Sequence, residues 1–291
     1  MMRAVDRRLA SLTGLEHDSP PLRLYHKAKR LGVWDPAVID LTQDARDWAG
    51  LTDSERDLLV RITALFQAGE ESVLFDLLPL LVVIAREGRL EDELFLTAWL
   101  WEEGKHTEFF RRVLDEVAGI GTATGLDTPS YRTIFYEELP ASMAALLDDP
   151  SPAAQARAVA TYTMVVEGVL AETGYHGYFT ALERRGLLPG LREGLALVKR
   201  DESRHIAYGV YLLSRLVHAD PALWDVIESR MNELLPVALG VVTETFALYD
   251  EMPFGLELDE FVGYATDQFG KRVARIERAR AGGPVELDED G

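Results

Sequence analysis

Two short stretches, EEGKH at residues 102–106 and DESRH at 201–205, repeat one order of residue types: acid, glutamate, small residue, base, histidine. Residues three apart on a helix share a face, so Glu103 stands beside His106 and Glu202 beside His205. Both pairs sit on apolar stripes. The first runs through Leu96, Trp99, Glu103, His106, Phe110 and Val113, the second through Leu195, Val198, Glu202, His205, Gly209 and Leu212. An ionised carboxylate buried on such a face is costly unless a counter-charge or a metal ion compensates it.

The two pairs are offset by 99 residues, and a glutamate on the apolar face of an upstream helix precedes each of them: Glu70 by 33 residues, Glu167 by 35. Four glutamates and two histidines converging in a bundle core form the ligand set of a dinuclear iron or iron-manganese centre, because two divalent ions offset four carboxylates. With 49 acidic residues and six histidines in the chain, one such pair arises readily by chance. The doubling, on two apolar stripes, is what points to metal. Oxygen and nitrogen donors suit manganese and iron alike and do not choose between them. Asp201 is placed to accept an imidazole N–H, that of His106 across the bundle, which would fix the tautomer of a ligating histidine.

The elements that must carry these residues read as helices. Thr52 and Glu55 form a capping box that opens a long helix through Leu59, Ile62, Phe66, Glu70, Val73 and Leu77, with Pro79 as the place for a kink. Further helices are expected at about 90–117, 152–185, 191–218 and 221–249, and from about 258 onward, with no alternating strand pattern. Short connections between long helices favour antiparallel neighbours, hence an all-α helix bundle with additional helices and the dinuclear site in its core. Residues 1–281 are expected to form one domain, with 1–50 wrapping its outside. Residues 282–291, glycine-rich and then acidic, are expected to be disordered.

Composition narrows the function. A formal charge of −19 argues against nucleic acid and anionic membranes as partners. The absence of cysteine excludes disulfides, thiolate metal sites and cysteine nucleophiles. The N-terminus lacks an uninterrupted apolar segment, and the greasiest run, 77–85, is far short of a membrane span. A soluble, cytoplasmic protein is expected.

Beyond these superfamily-wide motifs, GEESV at 69–73 and TYTMVVEGVLAETGYHGY at 161–178 resemble the ligand-binding oxidases related to the ribonucleotide reductase small subunit, manganese-iron proteins of the ferritin-like superfamily. The similarity extends from VWDPAVIDLTQD at 33–44 through the helix of His205. It implies one metal site from Glu70, Glu103 and His106, holding manganese, and another from Glu167, Glu202 and His205, holding iron, with a di-iron pair as the alternative. It implies an ether crosslink between Val73 and Tyr162, a long-chain fatty-acid-like ligand whose carboxylate bridges the metals, and a homodimer. Tyr175 and His176 are expected to support or pack near the ligands without binding metal.

The implied activity is that of an oxidoreductase using dioxygen for two-electron C–H oxidation in a dry pocket. Three rivals share parts of the pattern. A true reductase small subunit would carry a radical-relaying tyrosine in its tail, whereas the last tyrosine here is Tyr264. An acyl-carrier-protein desaturase lacks the Val73 and Tyr162 pairing, and a ferritin-like metal store is usually a shorter bundle.

Overall fold

The computed structural model describes residues 14–282, and every regular element among them is helical. Two expectations concern residues outside this range: nothing is described before residue 14, and of the glycine-rich acidic stretch only Gly282 is described, at the end of a helix. Helices α1 (Pro20–Leu31) and α2 (Thr42–Ala49) precede the two long antiparallel helices α3 (Asp53–Arg86) and α4 (Leu90–Arg112). Short helices α5 (Pro129–Arg132) and α6 (Leu139–Ala144) lead to α7 (Pro152–Val159) and, through a π-helical segment Ala160–Ala171, to α8 (Glu172–Glu183). The body closes with α9 (Pro189–Ala219), α10 (Leu223–Phe246) and α11 (Leu258–Gly282).

Local chemistry sets these ends. Thr52 and Glu55 form the expected capping box, and α3 then continues unbroken through Pro79. The segment expected to wrap the body contributes helix α1, whose Leu22, Leu24 and Ala28 are buried, and α1 packs against α4 and α9.

Apolar residues gather in two clusters, one on either side of the six candidate ligands. Along α4, Phe95 and Trp99 belong to the first cluster, and Phe109 and Phe110, beyond His106, belong to the second. Along α9 the order is reversed: Leu195 and Val198 lie in the second, and Ile206 and Leu212, beyond His205, lie in the first. A polar layer is therefore held between two dry ones, and each helix crosses it once. No described helix is long and apolar enough to cross a membrane.

Candidate metal centre

Four segments bring the six expected ligands together: α3 supplies Glu70, α4 Glu103 and His106, the π-helical segment Glu167, and α9 Glu202 and His205. All six are buried, with Glu103, His106 and His205 fully so. Nδ1 of His106 lies 3.1 Å from Glu202, 3.4 Å from Glu103 and 3.5 Å from Glu70. Nδ1 of His205 lies 3.4 Å from both Glu103 and Glu202 and 3.8 Å from Glu167. The groups form two overlapping sets, Glu70, Glu103, His106, Glu202 and Glu103, Glu167, Glu202, His205, each with its donor atoms within 4.8 Å of one another.

Glu167 sits in the twelve-residue π-helical segment Ala160–Ala171. Thr161 and Thr163 donate their hydroxyls to the carbonyls of Arg157 and Val159, four residues back, and Thr173 does the same to Val169. The same backward bonds occur within regular α-helix at Thr107, Thr245 and Thr266, and π-helical geometry recurs at functional sites.

The donor set fits a pair of cations. Both oxygens of Glu167, one each of Glu103 and Glu202, and Nδ1 of both histidines are buried without a hydrogen-bond partner, and they face one another. Burial pushes Glu70 well above the usual carboxylate range against the pull of His106, and burial with the charges of Glu202, Glu103 and Glu70 does the same to Glu167. Against burial, the Glu202 charge and the hydrogen bond to Glu102 hold His205 at about 9. Glu202, despite its burial, is held at about 2, chiefly by the His205 charge. Metal ions would displace these protons.

The far sides of the imidazoles are held by a crossed network. Nε2 of His106 faces Asp201 at 3.4 Å, as expected, and Nε2 of His205 faces Glu102 at 3.0 Å. The sequence reading missed Glu102, although the repeat carried the signal: it stands one residue before Glu103 just as Asp201 stands before Glu202. Arg204, itself buried, bridges Glu102 and Asp201 at 2.5 Å each. Lys105 and the Trp34 indole donate to the same Asp201 oxygen at 2.8 and 2.7 Å. Lys105 also donates to the carbonyl of Gly32 at 2.6 Å, and a Cβ at Gly32 would collide with Glu102. Trp99, at the edge of the first cluster, donates to Glu103 at 2.6 Å and stacks on His205 with ring centres 4.6 Å apart.

Tyr162 is buried, and its hydroxyl donates to the carbonyl of Val73 at 3.1 Å. Tyr175 is fully buried with an unpartnered hydroxyl, while His176 lies away from the cluster, 2.9 Å from Glu260 and stacked on Tyr264. An apolar cavity opens against the carboxylates. Glu70, Glu103, Glu167, Glu202, Val73 and Tyr175 line it together with Phe66, Phe135, Val166, Leu170 and Phe261, and Phe246, Met252 and Leu256 are shared with a neighbouring hollow edged by Asp250, Glu251 and Glu257.

Residues 21–272 match the family described as ribonucleotide reductase, small chain. Among solved structures, an R2-like ligand-binding oxidase with aerobically reconstituted Mn/Fe cofactor is 38% identical, with a TM-score of 0.89, over 93% of this chain and 97% of that one. A valine-to-isoleucine variant of an R2-like ligand-binding oxidase, with the same cofactor, is 37% identical with a TM-score of 0.89, over 93% and 99% of the two chains. A tyrosine-to-phenylalanine variant with anaerobically reconstituted Mn/Fe cofactor is 38% identical with a TM-score of 0.87, over 93% and 98%.

Proposed function

Because the chain belongs to the ribonucleotide reductase small chain family, we propose that it is a manganese-iron oxidase that uses dioxygen to oxidise C–H bonds by two electrons and holds a long-chain carboxylate in its cavity. The observation that carries this reading is the meeting of six unpartnered ligand atoms with an apolar cavity that shares four of the ligand residues. Glu70, Glu103 and His106 would hold manganese, and Glu167, Glu202 and His205 iron. When bound, this pair supplies the oxidising equivalents taken from dioxygen.

The chain's own residues do the rest. The two apolar clusters exclude water from the reacting groups. Tyr162 is held by the Val73 carbonyl, which keeps its oxygen beside the residue it would join. In the crosslink, Val73 loses the hydrogen on Cβ and Tyr162 its phenolic hydrogen. A C–O bond closes, and the two protons and two electrons released pass to dioxygen. The same oxidising power would reach an aliphatic ligand whose carboxylate spans the metals and whose tail lies along Phe66 and Phe261. A second copy of the chain would cover the exposed stripe Phe75, Leu78 and Val82 on α3.

Aerobic loading of metal-free protein with both metals tests the reading. A linked peptide pair containing Val73 and Tyr162 should appear, lighter by two hydrogens than the sum of the free peptides. It should be absent without oxygen or in Tyr162→Phe, which should still bind metal. Denaturing extraction should release a fatty acid in near-stoichiometric amount, and the protein should sediment as a dimer. Unlinked peptides after complete oxidation would favour the reductase or desaturase chemistry.

A further inference from the structure

The two metal positions have the same donor composition, three glutamates and one histidine each, and they share Glu103 and Glu202. Composition therefore gives no reason for two different ions to sort between them. The hydrogen bonds behind the histidines do differ. The Asp201 oxygen that faces His106 at 3.4 Å also accepts from Lys105 and Trp34, and the other oxygen of Asp201 accepts from Arg204. The Glu102 oxygen that faces His205 at 3.0 Å has no other partner among the described residues, and the second oxygen of Glu102 accepts from Arg204 alone. Asp201 is thus hydrogen-bonded to two cations and an indole, while Glu102 is hydrogen-bonded to one cation.

A carboxylate that accepts an imidazole N–H strengthens the opposite nitrogen as a metal donor, and cations on that carboxylate weaken the effect. His205 is accordingly the stronger donor and His106 the weaker one. Iron(II) binds such donors more tightly than manganese(II), in the usual order of divalent affinities, so preference for iron is greatest where the nitrogen donor is strongest.

We propose that these unequal hydrogen bonds decide which ion takes which position: Glu102 makes the His205 position iron-selective, and Lys105, by drawing on Asp201, keeps the His106 position open to manganese. This rests on the mixed-metal reading above. Neither Glu102 nor Lys105 is among the six ligands; both act through the histidines as positioning residues.

The test uses full-length wild type, Glu102→Gln and Lys105→Met, each freed of metal, checked for folding by thermal melting, and loaded without oxygen from an equimolar mixture of iron(II) and manganese(II). Anomalous diffraction at the two absorption edges reads each position separately. Glu102→Gln should lower the iron-to-manganese ratio at the His205 position, by a fraction of the roughly tenfold loss of affinity that removing such a partner causes, and leave the His106 position unchanged. Lys105→Met should raise that ratio, by a comparable fraction of about tenfold, at the His106 position only. If Lys105→Met fails to fold, Lys105→Gln removes the same charge and keeps a donor. A merely structural role would empty both positions in both variants without exchanging the metals, and that result overturns the proposal. So does an unchanged distribution in folded variants of a mixed-metal wild type, which leaves the mixed-metal reading intact. Wild type carrying iron at both positions overturns the mixed-metal reading and this proposal with it.

Discussion

The centre has two unlike sides. Toward α1, every polar atom of Asp201 and Glu102 is engaged, by Lys105, Arg204, Trp34 and the histidines. Toward α3, α10 and the π-helical segment, the lining is apolar, and Glu167 has neither oxygen bonded. The contrast separates two tasks. On the reading proposed above, the hydrogen-bonded imidazoles would fix where ions sit, whereas Glu167, without hydrogen bonds at the cavity, would be free to reorient.

The largest effect should come from the ligands that join the two sides. Glu103 and Glu202 belong to both donor sets, whereas Glu70 and Glu167 each belong to one. Elemental analysis should find Glu103→Ala and Glu202→Ala depleted of both metals, and Glu70→Ala and Glu167→Ala depleted mainly of one. Equal loss in all four variants would mean the sharing is not functional. A more local effect is expected on the apolar side, where a Cβ at Gly174 would come within 2.5 Å of the Phe66 ring. Gly174→Leu should drive Phe66 into the cavity and reduce the extractable fatty acid to background with metal content unchanged. Full recovery of the fatty acid would place it elsewhere.

The smallest effect concerns protons. His205 is raised to about 9 in the folded, metal-free protein, above its unfolded value of about 6.5. Its contribution is complete below that unfolded value and is lost as pH rises through about 9. Raised Glu70 and Glu167 act in the same direction, since burial favours their neutral forms. The melting temperature of metal-free protein should therefore fall as pH rises from about 7 to about 10, by the equivalent of a few kcal/mol, while that of the loaded protein changes less. Parallel curves for the two forms would remove the proton-for-metal exchange.

The cluster of candidate ligands was legible because a glutamate and a histidine one helical turn apart, twice over, in otherwise greasy stripes, are too costly to bury without a compensating cation. Asp201 was legible from its place in the repeat. Glu102 occupies the same place in the other copy, but which imidazole it faces depends on how α4 and α9 cross. Trp34 was not legible: it meets Asp201 across 167 residues, and periodicity describes one helix at a time. The π-helical register of Ala160–Ala171 also escaped, because its residues carry no spacing that separates a π-helix from an α-helix in a sequence. The cavity lies between helices and has no linear signature at all.

The sharing of Glu103 and Glu202 also bears on how the protein comes to hold metal in a growing cell. Both donor sets need residues from both halves of the chain, so a nascent polypeptide that has exposed α3 and α4 still lacks a complete cage. From Glu103 to His205 a ribosome must add 102 residues, roughly 5–20 s of synthesis. During that interval only Glu70, Glu103 and His106 of the six candidate ligands have been made, and each donor set still lacks a member. On the reading proposed above, the choice of metal would be deferred until His205 has emerged, and it would fall to the assembled centre and not to whichever ion meets the chain first.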